Sequence, residues 1–316
     1  MLTSKPSFSD IKRAHQRISD YIVQTPVLTS KNIDEVAGCH IFFKCENFQK
    51  VGAFKMRGAS NAIFSHRPEE REKGFACHSS GNHGQAVALA SKLAETKAYI
   101  VMPKNSSKVK IDAVRGYGAE VVLCEPNEES REGTCTNVVE ETGATLIHPF
   151  DDYNIIAGQA TACKELIEEV EDLDAVITSV GGGGLAAGTA LVAHYIQPNL
   201  DVYLGEPTEV DDTFQSMKAG KIIPNKTANT IADGLKTTVG TKNFEIIKEH
   251  VKSVFTVTEE EIISAMKLVW ERMKIVIEPS AAVPFAAVLK NKEEFAGKNL
   301  GIILTGGNVD LTKLPF

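Results

Sequence analysis

The sequence predicts an α/β protein of two lobes, each with a mostly parallel sheet flanked by helices. From about residue 74, apolar runs of strand length alternate with helical patterns, and the alternation resumes from residue 175. Three turn motifs follow apolar runs directly: Ser79-Ser80-Gly81-Asn82-His83-Gly84-Gln85, Gly181-Gly182-Gly183-Gly184 and Thr305-Gly306-Gly307-Asn308. Parallel sheets carry their ligands at the carboxyl ends of strands, so these turns mark a functional edge. The expected division is a small lobe over residues 68–151 and a large lobe built from residues 1–67 and 152–316.

Taken in order, Ser7 and Asp10 open the first helix as a capping box, and Phe8, Ile11, His15, Ile18 and Ile22 recur at helical spacing. His15 reads as a packed histidine rather than a ligand. Thr25-Pro26-Val27 stops the helix, and residues 41–45 read as a strand. The small lobe reads as strand 74–78, an alanine-rich helix 86–94, strand 98–102 closed by Pro103, helix 108–115, strand 119–124, helix 128–142 and strand 144–148. The large lobe continues with strand 175–180, helix 185–195 and strand 201–204. Thr258 and Glu261 cap a helix with Ile262, Ala265, Met266, Val269 and Met273 on one face, beside which Trp270 reads as core. Residues 300–304 form a buried-type strand that leads into Thr305.

The bulk numbers exclude several classes. A 316-residue chain with 43% hydrophobic and 24% charged residues suits a globular enzyme. Its net charge of −7 argues against a nucleic-acid partner. No apolar run approaches the roughly 18 residues of a membrane span, and the first residues show no basic-then-apolar leader. Cys39, Cys45, Cys77, Cys124, Cys135 and Cys163 are scattered without a Cys-x-x-Cys pair. They read as reduced thiols of a cytoplasmic protein rather than zinc ligands or disulfides.

Each motif has a plain alternative. Four glycines between a strand and a helix let backbone N–H groups approach an anion, which reads as a phosphate site, although a bare tight turn would look similar. The dinucleotide fingerprint is absent, which counts against a nicotinamide-dependent dehydrogenase. Lys55 alone would read as a surface lysine, but Gly52-Ala53-Phe54-Lys55-Met56-Arg57-Gly58 sets it in a tight segment beside an aromatic face. The Ser79–Ser80 turn could grip a carboxylate or merely cap a helix. Glu206-Pro207-Thr208-Glu209-Val210-Asp211-Asp212 offers oxygen ligands for Mg²⁺ or Ca²⁺, or is a solvated acidic loop. A lysine for an aldehyde, glycines for a phosphate and the Thr305 hydroxyl for a pyridine nitrogen together are what a pyridoxal phosphate (PLP) enzyme needs.

From about Phe8 to Asp310 the chain resembles the fold-type II PLP enzymes of the serine racemase and serine/threonine dehydratase family, the eukaryotic-type serine racemases above all. The resemblance rests on Phe43-Lys44-Cys45-Glu46-Asn47-Phe48-Gln49-Lys50, the 79–85 turn, Ala157-Gly158-Gln159, Thr230-Ile231-Ala232-Asp233-Gly234, Trp270-Glu271-Arg272-Met273-Lys274 and Gly306-Gly307-Asn308-Val309-Asp310. It implies a tryptophan synthase β-like architecture. Lys55 would carry the cofactor and exchange a proton at one face of the substrate, and Ser80 would serve the other face. Phe54 would lie against the ring, Asn82 would bond its hydroxyl, Gly181, Gly182, Gly183, Gly184 and the Leu185 amide would hold the phosphate, and Thr305 would meet the pyridine nitrogen. Ser79, Ser80, Asn82, His83, Arg131 and Thr237 would contact the substrate. Glu206, Asp212 and the Val210 carbonyl would hold Mg²⁺, with Ca²⁺ or Mn²⁺ as substitutes. Lys50, Lys274 and Asn308 match residues of an ATP activator site, whereas Lys31, Val51 and Phe150-Asp151-Asp152 depart from that pattern. The family also implies a homodimer.

The implied reaction is interconversion of L- and D-serine, accompanied by dehydration of serine and threonine to the 2-oxo acid and ammonia. Two alternatives stay open. One is a dehydratase of 3-hydroxyaspartate or of L-serine and L-threonine without significant racemisation, since hydroxyaspartate dehydratases share the Ser-Ser turn and an aromatic-Asp sequence at Phe150-Asp151. The other is a PLP-binding module without turnover.

Overall fold

The computed structural model describes residues 1–106 and 108–316. Among them, ten strands occur in chain order: β1 (Val27–Leu28), β2 (His40–Cys45), β3 (Phe75–His78), β4 (Ala98–Pro103), β5 (Glu120–Cys124), β6 (Thr145–Leu146), β7 (Ala175–Ser179), β8 (Asp201–Pro207), β9 (Ser253–Val257) and β10 (Asn299–Leu304). They form two sheets, a larger one in the order β1-β2-β10-β7-β8-β9 and a smaller one in the order β5-β4-β3-β6. Every pairing is parallel except β1 with β2. The α/β architecture read from the alternating pattern is therefore present, with helices on the sheet faces.

The larger sheet is covered on both sides, which is why its central strands are continuously apolar. Helices Tyr153–Glu169 and Gly184–Ile196 pack on one face, and helices Glu259–Met273 and Pro279–Lys290 on the other. β10, the last strand, lies between β2 and β7, with Leu304 opposite Cys45. This crossover brings the carboxyl ends of three strands from distant parts of the chain to one edge.

The first helix ends at Ile18 rather than running on to Ile22. The amides of Tyr21 and Ile22 both turn back onto the Ile18 carbonyl and close the end. Its capping box at Ser7 and Asp10, and the one at Thr258 and Glu261, form as read. The helix after β3 begins at Asn82, four residues earlier than the alanine pattern suggested. Helix Tyr153–Glu169 left no periodic signal because residues 154–167 are buried all round. All six cysteines are free and buried, and no helix among the described residues is long and apolar enough to cross a membrane.

Beneath helix Lys55–Phe64 lies a fully buried charge network. Arg57 donates through Nε and Nη2 to Glu46, through Nη1 and Nη2 to Glu165, and through Nη1 to Thr161 Oγ1. Lys44 Nζ adds a contact to Glu165 Oε2 at 2.7 Å and donates to the Thr25 carbonyl. Two cations and two carboxylates cancel, so the network is neutral as a unit. It ties β2 to two helices and fixes the stem from which Lys55 projects.

Candidate active site

The carboxyl ends of β2, β10 and β7 are neighbours in the larger sheet, and the site grows from them. The segment leading to Lys55 is stitched to the end of β10. The Phe54 amide donates to the Thr305 carbonyl at 3.0 Å, and Ala53 forms an antiparallel bridge with Gly306. Lys55 opens its helix, and its Nζ donates to the Pro149 carbonyl at 2.7 Å and lies 5.3 Å from the Phe54 ring centre. Burial lowers its ammonium pKa to about 8, so a usable fraction is unprotonated near neutral pH. The Thr305 side chain is 3% exposed, and its Oγ1 has no partner among the described residues. A buried hydroxyl left unpaired is costly, and a bound acceptor would satisfy it.

The four glycines lie between β7 and helix Gly184–Ile196. Gly183 caps that helix at φ +93°, a conformation that favours glycine. At Gly182 an added Cβ would come within 2.2 Å of the Phe150 ring, so a side chain there is sterically excluded. The Gly182 carbonyl is pinned by Asn243 Nδ2 at 2.6 Å and the Gly240 amide at 3.0 Å. An apolar helix starts at this loop, and the first-turn amides of a helix lack intrahelical partners, which suits one anion.

The hydroxyl-rich turn leaves β3 and enters helix Asn82–Leu93. Ser79 Oγ accepts from the Gly81 amide at 3.2 Å, and Ser80 is half-buried. His83 is 3% exposed, with Nε2 at 3.1 Å from the Ile147 carbonyl. Burial, with Lys55 nearby, pushes its imidazole down to about 3. His83 is thus neutral, and only its backbone N–H remains for a carboxylate. His148 is likewise pushed down by burial to about 4, and its Nδ1 accepts from the Asp151 amide at 2.8 Å. Arg131, on helix Glu128–Thr142, lies close enough to His78 to lower its pKa alongside burial, and its Nε is buried with no partner among the described residues. Thr237 is exposed in the loop beyond Leu235.

The acidic stretch is only partly solvated: Glu209 is exposed, whereas Glu206 and Asp212 are buried. Glu206 is 0% exposed at the end of β8, and Asp212 is 1% exposed. Glu206 accepts from the Thr213 and Phe214 amides, whereas Asp212 accepts from Asn225 Nδ2 and the Val239 amide. Burial pushes the Asp212 carboxyl up to about 6, and burial plus Asp212 pushes Glu206 well above its usual range. Neither carboxylate takes part in an ion pair among the described residues. Glu206 and Asp212 are two buried carboxylates close enough to perturb one another, with Val210 fully buried between them in sequence. They offer oxygen donors of the kind a divalent cation takes, but among the described residues no group of three or more His, Cys, Asp or Glu side chains gathers there.

Glu278 and Asn243 gave no sequence signal, and Asn308 and Phe150, singled out for other reasons, make contacts the sequence did not show. Glu278, 3% exposed, accepts from Asn82 Nδ2. Asn308 Nδ2 donates to Asn82 Oδ1 at 2.8 Å and to the Val51 carbonyl at 2.7 Å. Phe150 stacks on the glycine loop and Asn243 pins it. Ile277-Glu278-Pro279 reads locally as an ordinary helix start, so only the tertiary partners reveal it.

Residues 18–306 match the family described as pyridoxal-phosphate dependent enzyme. The chain is 53% identical over 313 residues to a serine racemase of Dictyostelium discoideum, covering 98% of this chain and 96% of that one. It is 46% identical over 311 residues to a beta-hydroxyaspartate dehydratase of Paracoccus denitrificans, covering 98% and 99%. The solved structure of maize serine racemase superposes with a TM-score of 0.95 at 43% identity, over 97% of this chain and 94% of that one.

Proposed function

Since the chain belongs to the family of pyridoxal-phosphate dependent enzymes and has the two-sheet architecture of their fold-type II members, we propose that it is a serine racemase. It interconverts L- and D-serine and also dehydrates serine and threonine to the 2-oxo acid and ammonia. The observation that carries the reading is the seam between Phe54 and Thr305. It sets a lysine with a lowered pKa beside a buried, unpartnered hydroxyl, on the strand next to the one that ends in the glycine loop.

In this reading Lys55, Phe54, Asn82, Gly181, Gly182, Gly183, Gly184, Leu185 and Thr305 hold the cofactor, which when bound supplies an electron sink that makes an amino acid's α-proton acidic. Lys55 Nζ takes or returns that proton on one face. Ser80 Oγ exchanges a proton on the other face, so the α-carbon can invert. If the β-hydroxyl departs before a proton is returned, the product hydrolyses to the 2-oxo acid and ammonia. Ser79 and the amides at Asn82 and His83 receive the substrate carboxylate, with Arg131 and Thr237 on the substrate side. Glu206, Asp212 and the Val210 carbonyl would hold Mg²⁺. The lobes divide at 1–67 with 152–316 and at 68–151, and the enzyme works as a cytoplasmic homodimer. An ATP activator would rest on Lys50, Lys274 and Asn308, but Lys31, Val51 and Phe150-Asp151-Asp152 depart from that pattern and Asn308 already gives its amide hydrogens to Val51 and Asn82, which count against it.

A second reading, dehydration of 3-hydroxyaspartate, is favoured by Phe150 against the glycine loop and by the Paracoccus relative. The test is to incubate the PLP- and Mg²⁺-loaded protein with L-serine, then with 3-hydroxyaspartate, and quantify D-serine and 2-oxo acid together. D-serine at rates comparable to pyruvate supports the racemase. Ser80→Ala should then abolish D-serine formation while sparing elimination from one enantiomer. Equal loss of both activities would refute the role of Ser80, and 2-oxo acid without D-serine would make the protein a dehydratase.

A further inference from the structure

Glu278 is the buried ionisable group at the site that the proposed chemistry leaves unused. It precedes helix Pro279–Lys290 and packs against the end of β10, where a Cβ on Gly306 would lie 2.9 Å from its Oε1. What it receives are amide hydrogens. Asn82 Nδ2 reaches Oε1 at 2.9 Å and Oε2 at 3.2 Å, and the Asn308 amide reaches Oε2 at 3.1 Å. A carboxylate only accepts, so it turns the amide nitrogen of Asn82 toward itself. The Asn82 oxygen then faces Asn308 Nδ2, which also binds the Val51 carbonyl, four residues before Lys55.

This arrangement crosses the molecule. Asn82 starts the helix that follows β3 of the smaller sheet, whereas Glu278, Asn308 and Val51 belong to segments around the larger one. A second brace runs parallel to it. Lys110 Nζ, on helix Lys108–Gly116 beside the smaller sheet, meets Asp233 Oδ2 at 2.9 Å, and the neighbouring Gly234 amide donates to Ser280 Oγ two residues after Glu278.

Resting on the reading above, we propose that Glu278 is a positioning residue: it fixes the amide of Asn82 in one orientation and so docks the Ser79–Asn82 turn beside the cofactor. Burial and the nearby Asp233 push its carboxyl up to about 7, so keeping a charge there opposes folding at neutral pH. A purely structural position would gain by losing that charge, and a position that must orient an amide would not.

The experiment compares wild type, Glu278→Gln, Asn82→Ala and the double variant, all as full-length protein. Equilibrium PLP binding is read from the visible absorbance, with kcat and KM for L-serine and a thermal melt alongside. Glu278→Gln should weaken PLP binding about tenfold, the loss of one charge-assisted hydrogen bond. The double variant should bind no more weakly than Asn82→Ala, because the carboxylate acts through that amide. If Glu278→Gln does not fold, Glu278→Asp, which withdraws the same charge by one methylene, carries the test. Unchanged PLP affinity in the Glu278 variant, or additive losses in the double variant, overturns the proposal alone. A wild-type protein that takes up no PLP overturns the reading of the site and the proposal with it.

Discussion

Arg57→Met tests whether the buried network beneath Lys55 holds the fold together. Arg57, Glu46 and Lys44 are 0% exposed and Glu165 is 3% exposed. Arg57 spends all five of its N–H donors on Glu46, Glu165 and Thr161. Burial would push the Glu165 carboxyl up, but His15, Arg57 and Lys44 together hold it well below the usual range. Methionine keeps most of the apolar stem, so the loss is chiefly of charge. Lys44 still faces Glu165, whereas Glu46 keeps only the Thr25 hydroxyl at 2.6 Å. Breaking a buried pair from one side costs about 3–5 kcal/mol. Against a total stability of about 5–15 kcal/mol, that is a large fraction. With a urea m-value of about 3 kcal/mol/M, the midpoint should fall by about 1–1.7 M in far-UV dichroism of the PLP-saturated protein. Adding Glu46→Gln restores neutrality and should recover about 1–3 kcal/mol of that loss. A midpoint loss below about 0.3 M, or no recovery in the double variant, would refute the reasoning.

Two further outcomes follow from displaced proton equilibria. The Asp212 carboxyl is raised to about 6 and Glu206 well above its usual range, both by burial first, so the metal-free site sheds protons reluctantly as pH rises from about 4. A cation needs those carboxylates charged. The melting-temperature gain from Mg²⁺ should therefore be near zero at pH 5, grow through pH 6 and be lost in Asp212→Asn; equal gains at pH 5 and pH 8 would sink the assignment. Lys55, lowered to about 8 by burial, should load PLP at a rate that rises about tenfold per pH unit up to that value and then levels. A flat rate between pH 6 and pH 9 would show that another step limits loading.

The positions of the three turn motifs at strand ends were legible because they are written locally. Glycines or hydroxyl residues directly after an apolar run mark a strand end, and the three motifs at Ser79, Gly181 and Thr305 do sit after β3, β7 and β10. The acidic stretch near Glu206 shows where local reading stops. Seven residues with four carboxylates look solvated, and only β8 and the helix from Asp212 bury two of them. Helix Tyr153–Glu169 escaped for a related reason, since a helix buried on every side, with Gln159, Lys164 and Glu165 among its buried residues, has no apolar stripe to detect.

The residues that escaped are those whose meaning depends on distant partners. Glu278 lies 196 positions from Asn82, and Arg57 lies 108 from Glu165. Neither distance leaves a mark in a window of ten residues. The two cases differ in physics. The Arg57 network sums to zero charge, so it can stabilise the fold around the lysine stem. Glu278 sums to nothing of the kind. Its folded pKa of about 7 lies above the unfolded value of about 4.5, so its charge weakens the protein progressively as pH rises from about 4.5 to 7 and fully beyond. Asp212 carries the same sign of cost over a window ending near 6. Local rules are broken where function needs them broken, so these two unfavourable carboxylates, one against the Asn82 amide and one beside Glu206, are the positions at which the proposed binding roles would offset the stability lost.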